Sequence, residues 1–139
     1  MASNCERLHI RQWNNSSQSA DKGLVFLIPG ATGSTENWRF LVPVFCSYGW
    51  NVVCVDFPPF GFSGEKQTDS NKLDPLPEDT YSRSSLMWQV FDSLYPSYEG
   101  NLILGGHSHG GRIAAAMAIE RPFRVSQLLL FAPALYGVS

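Results

Sequence analysis

Leu102-Ile103-Leu104-Gly105-Gly106-His107-Ser108-His109-Gly110-Gly111-Arg112 runs from an apolar stretch into an alanine-rich one, with G-x-S-x-G at Gly106, Ser108 and Gly110. In a chain with 12 glycines the bare pattern says little. Its setting, an apolar run before and a helical run after, makes it specific and predicts strand, tight turn, helix. A serine on so tight a turn sits in a strained backbone conformation. Side chains two residues to either side would collide, so glycine is required there. The turn also brings Ser108 to a helix N-terminus, where free N–H groups and the helix dipole favour developing negative charge. Ser108 is therefore a candidate nucleophile. The plain alternative is a glycine-rich helix start with no chemistry.

Outward from this stretch, Leu24 to Ile28, Val52 to Val55 and Leu128 to Phe131 repeat the short, nearly unbroken apolar run of Leu102 to Leu104. Strands buried on both faces read this way. Glu6 to Trp13 instead alternates, with Leu8 and Ile10 on one side and His9 and Arg11 on the other, as expected of an edge strand with one wet face. Helical segments lie between the apolar runs. Thr35 to Gly49 carries Pro43, which predicts a turn and then a short helix from about Pro43. Thr80 to Tyr95 places Met87, Val90, Phe91 and Leu94 on one stripe, with Asp79 or Thr80 as cap and Pro96 as stop. His109 to Arg121 ends before Pro122 and is rich in small residues that allow close approach to a sheet. Gly64 to Asp79 is polar, holds Pro75 and Pro77, and reads as a loop. The alternation predicts an α/β domain over residues 1–139, a mostly parallel sheet flanked by helices.

Composition narrows the partners. With 44% hydrophobic residues the chain can bury a core. Ten Lys and Arg against 12 Asp and Glu, with no run of like charge, give nothing that would grip nucleic acid or an anionic membrane. The polar start, Met1 to Trp13, and the lack of a long apolar run read as a cytoplasmic chain. Cys5, Cys46 and Cys54 fall outside any C-x-x-C spacing, so they read as reduced thiols and not as a disulfide or zinc framework.

Three segments in order resemble the α/β-hydrolase superfamily, over nearly the whole chain. Ile28-Pro29-Gly30-Ala31-Thr32-Gly33 is similar to the loop after the family's third strand, Val55-Asp56-Phe57-Pro58-Pro59-Phe60-Gly61-Phe62-Ser63-Gly64 to its aspartate-to-glycine loop, and Gly106 to Gly110 to its nucleophile elbow. The resemblance implies an incomplete α/β-hydrolase fold, lacking the C-terminal strands and cap. It implies Ser108 as catalytic nucleophile, backbone N–H groups of Ala31 and His109 as the oxyanion hole, and Gly106 and Gly110 as elbow glycines. A serine at the nucleophile position implies a carboxylic ester, thioester or related acyl substrate, with no cofactor and no metal. Pro29 departs from the pattern, since many members carry His before the oxyanion glycine.

In the family the acid and then the histidine follow the serine. After Ser108 this chain has no Asp, a single Glu at Glu120, and no His beyond His109. His107 and His109 adjoin the nucleophile on the turn and are poorly set to take its proton. The expectation is a chain that by itself turns over substrate very slowly or not at all, and whose Leu128 to Leu130 edge promotes self-association. A rival reading is a non-catalytic fragment or pseudoenzyme with a binding or structural role. A third, nucleotide binding at Gly105 to Gly111, is weaker because Gly111 and Arg112 stand where a phosphate loop has Lys and Ser or Thr. An H-x-H metal pair at His107 and His109 lacks a third ligand. Asp56 reads as a loop brace rather than the catalytic acid, Ser63 as turn chemistry, and Trp38, Phe60 and Phe62 as acyl-pocket lining, with core an equal reading for Trp38.

Overall fold

The structure is a computed structural model and describes residues 8–17, 21–30, 33–56 and 79–135. Among them are strands β1 (Ile10–Trp13), β2 (Gly23–Ile28), β3 (Trp50–Val55), β4 (Leu102–His107) and β5 (Gln127–Phe131), and helices α1 (Leu41–Ser47), α2 (Thr80–Leu94) and α3 (His109–Glu120). They form one sheet in the order β1-β3-β2-β4-β5. Only β1 is antiparallel, with Ile10 opposite Val55; the other pairings are parallel.

Strand β2 is buried along its whole length because both faces of the sheet are covered. Leu24, Phe26 and Ile28 join Leu102, Leu104 and the buried stripes of α2 and α3 in one core. Val25 and Leu27 point the other way, toward Trp38, Val42 and Cys46 of the α1 layer. This alternation is the two-residue period of a strand with a helix on each side.

The helices follow local signals. Asp79 caps α2, its carboxylate accepting from the Ser82 N–H at 2.9 Å. That bond holds the Asp79 carboxyl below its ordinary pKa. In the first crossover the expected turn and short helix both appear, with the start moved slightly: a 3₁₀ turn spans Thr35–Trp38 and α1 begins at Leu41, just ahead of Pro43. Pro43 then lies in the first turn of α1, where a missing N–H costs nothing because no carbonyl four residues back is available within the helix.

Two further expectations change. The strand read from Glu6 to Trp13 is hydrogen-bonded to β3 only from Ile10, although Leu8 is buried; Glu6 lies outside the described residues. The face expected to be wet is partly covered, since Arg11 pairs with Glu36 of the 3₁₀ turn and lies 4.8 Å over the Trp13 ring. Of the expected loop from Gly64 to Asp79, residues 64–78 lie outside the described residues. At the other edge, β5 pairs with β4 on one side only among the described residues, and Leu130 is 37% exposed.

The strand order has one functional consequence. After β2 the chain leaves toward the α1 face and the β3 side. After β4 it leaves through α3 on the opposite face and the β5 side. Loops that part in opposite directions open a crevice at the strand C-termini, which is where open α/β sheets bind ligands. Gly30 and Ser108 flank that crevice.

Candidate active site

A single residue separates β4 from α3. Strand β4 ends at His107, the helix starts at His109, and Ser108 between them has φ 54 and ψ −118. A non-glycine residue in this left-handed region costs on the order of 1–3 kcal/mol, and it persists only where neighbours hold it. Here they do. The Ser108 N–H donates to the Phe131 carbonyl at 3.0 Å, and the Ser108 carbonyl accepts from Gly111 N–H at 3.0 Å and Ala134 N–H at 2.9 Å.

Both elbow glycines are forced by backbone. A Cβ on Gly106 would overlap the Gly110 carbonyl, with Gly111 N only 2.6 Å away. On Gly110 it would overlap the carbonyl oxygens of Ile28 and Pro29. The start of α3 is thus pressed against the end of β2. Gly30 continues this close approach: a Cβ there would lie 3.5 Å from Ser108 Cβ.

Of the residues expected to hold an oxyanion, His109 opens α3, so its N–H has no partner within the helix. Ala31 lies outside the described residues, as do Phe60, Phe62 and Ser63. The His109 imidazole is held below its ordinary pKa of 6.5, by burial first and by Arg83 and Arg112 second, so it is neutral at pH 7. His107 is exposed and faces the α1 side. A cavity of about 410 Å³ opens there, lined by Trp38, Phe131, His107 and neighbours. Trp38 is a core residue at the border of this cavity. It is 3% exposed in the second core, edge-on to Phe131 at 5.5 Å, and its indole N–H has no acceptor among the described residues.

Asp56 is fully buried at the end of β3, accepts from the Thr35 N–H at 2.6 Å, and donates its own N–H to the His9 carbonyl at 3.0 Å. It braces the 3₁₀ turn. Cys46 and Cys54 are unpaired and buried, and burial pushes both thiols up, Cys54 far more strongly, away from nucleophilic use. Among the described residues no group of three or more His, Cys, Asp or Glu could hold a metal. No helix among them is long and apolar enough to cross a membrane. The nucleotide-loop reading meets a geometric obstacle, because one residue between strand and helix leaves no loop to wrap a phosphate.

Sequence reasoning missed the clasp from Phe131 to Ala134. Ala132 is the only other non-glycine residue with positive φ among those described, at 42. Pro133, next to it, would sit 2.9 Å from a Cβ on Gly111. Its signal was Pro133 directly after an apolar run.

The alpha/beta hydrolase fold family matches residues 23–136. A 2-hydroxy-6-oxononadienedioate/2-hydroxy-6-oxononatrienedioate hydrolase of Burkholderia vietnamiensis is 33% identical over 125 residues, which is 87% of this chain and 39% of that protein. Among solved structures, a carboxylesterase structure from Nitrososphaera gargenis superposes with a TM-score of 0.72 at 14% identity, covering 95% of this chain and 43% of that one. A monoacylglycerol lipase of Paleococcus ferrophilus gives 0.70 at 19% identity, over 93% and 44%. The chain spans about two fifths of the length of these relatives.

Proposed function

Since this chain belongs to the alpha/beta hydrolase fold family, we propose that it carries the nucleophile of a serine hydrolase acting on a carboxylic ester, thioester or related acyl substrate. The observation that supports this reading most is the backbone of Ser108: a strained residue alone between strand and helix, at the crevice where the β2 and β4 connections part. Stored strain at a tip costs stability, and a plain helix start has no need of it. In the proposed reaction the Ser108 oxygen adds to the substrate carbonyl, and the His109 N–H, with that of Ala31, receives the oxyanion. Collapse expels the alcohol or thiol and leaves an acyl-enzyme that water then hydrolyses.

A serine hydroxyl needs a base to lose its proton. His109 is neutral at pH 7, but it follows Ser108 directly at the head of α3, a position suited to backbone donation. Without a base, oxyanion binding alone is worth about 10²–10³ in rate, so we propose that the chain by itself turns over acyl substrate very slowly.

The test uses a fluorophosphonate probe with imidazole added as external base, followed by peptide mapping. The label is expected on Ser108, faster with imidazole, and absent from both Ser108→Ala and Ser108→Gly. Ser108→Gly is also expected to raise stability by about 1 kcal/mol over Ser108→Ala, because glycine relieves the positive φ. Label at another residue, or none with or without imidazole, would overturn the nucleophile and favour a non-catalytic role.

A further inference from the structure

Arg112, Ala115, Ala116 and Ile119 are spaced three and four apart on α3 and so share one face. With Tyr81 of α2 and Leu135 beyond β5 they line a cleft of about 400 Å³. Its walls are small or apolar apart from Arg112 and the hydroxyl-bearing Thr80 and Tyr81. The Arg112 Nε donates to the Ala134 carbonyl at 2.7 Å, which fixes the plane of the fork. The terminal nitrogens of the guanidinium, which carry the remaining N–H donors, take no part in the ion pairs Arg11–Glu36 and Arg121–Asp92.

A planar fork with an anchored Nε matches a carboxylate held by the terminal nitrogens through two parallel hydrogen bonds. The electrostatics agree. Arg83 and Arg112 are both close enough to be felt by His109, and the positive end of the helix adds to them. Ser108 and Arg112 stand one helical turn apart, roughly 5.4 Å along the axis. A few methylene groups bridge that separation, and Ala115 and Ala116, a turn beyond Arg112 on the same face, leave room around the fork.

We propose that this cleft binds the carboxylate-terminated arm of the acyl substrate, with Arg112 as its anchor, so that the substrates are half-esters or related monoacyl derivatives of dicarboxylic acids. The assignment of the arm rests on Ser108 as nucleophile; the binding of the carboxylate does not.

The experiment titrates monomethyl adipate and dimethyl adipate, which differ by one carboxylate, into Ser108→Ala so that hydrolysis cannot intervene. The monoester is expected to bind about 10- to 100-fold more tightly, the range of one charge-assisted pair. Arg112→Gln should abolish that preference, and Arg112→Lys should retain part of it. Should Arg112→Gln fail to fold, the Nε–H resonance of Arg112 in the unsubstituted chain provides the readout, and it is expected to shift with the monoester alone. Equal binding of the two esters, a preference that survives Arg112→Gln, or an unmoved Arg112 resonance would overturn the proposal. Fluorophosphonate labelling of Ser108 is read separately, so loss of the carboxylate site and loss of the nucleophile are distinct results.

Discussion

Gly110→Ala is expected to destabilise the chain by about 3 kcal/mol or more and to abolish labelling of Ser108. The added Cβ would land on the carbonyl oxygens of Ile28 and Pro29. Neither can step aside as a side-chain tip could. Ile28 closes β2, which is hydrogen-bonded to a strand on each side. The head of α3 must therefore retreat, and with it the clasp that holds Ser108 at positive φ. Gly105→Ala is the control. There the nearest atom is the Leu27 Cδ2 at 2.7 Å, the end of a flexible side chain, so the loss should stay near 1 kcal/mol. Urea denaturation of the two variants side by side checks the difference. Equal midpoints would mean that the approach of α3 to β2 is looser than described.

The second large effect lies away from the site. Trp88→Ala is expected to cost about 3–5 kcal/mol, the range for removing a buried large aromatic. Trp88 is 1% exposed between α2 and α3, meets Phe91 edge-on at 5.5 Å, and donates its indole N–H to the Met117 carbonyl at 3.1 Å. The Arg121 guanidinium lies 4.6 Å over its ring and holds Asp92 through two bonds of 2.9 Å. Trp88→Phe should cost far less, about 1–2 kcal/mol. It keeps most of the ring, and the Met117 carbonyl still accepts the Arg121 N–H at 3.0 Å. Thermal or urea melts of the pair read the result directly. If Trp88→Ala melted within a degree or two of the parent, Trp88 would not be the joint between the helices.

Much of the architecture was legible from short windows of sequence. The apolar runs became β2 to β5, lengthened by one to three residues where strand pairing extends past the apolar core. The cap at Asp79 and the stops before Pro96 and Pro122 placed α2 and α3 to within a residue. The G-x-S-x-G stretch foretold both the tightness of the turn at Ser108 and the steric reason for its glycines. Pro43 lies just inside α1 rather than at its start. A proline is tolerated throughout the first turn of a helix, so its presence dates the start of α1 only loosely. Arg11, read as facing water, meets Glu36 25 residues later, and nothing near Arg11 in sequence announces it.

Dihedral preference, capping and the two- and 3.6-residue periods are properties of neighbours along the chain, and these alone specified the kinds of elements, their order, and the strained serine between a strand and a helix. Which strand lies beside which, and therefore where the crevice opens, depends on pairings between residues far apart. So do the Asp56 brace on Thr35, the Phe131 to Ala134 clasp around Ser108, and the Arg112 fork set by Ala134. Each of these contacts joins segments more than 20 residues apart, with no local periodicity to mark them. They form only when sheet and helices close around a common core, so only the folded arrangement could disclose them.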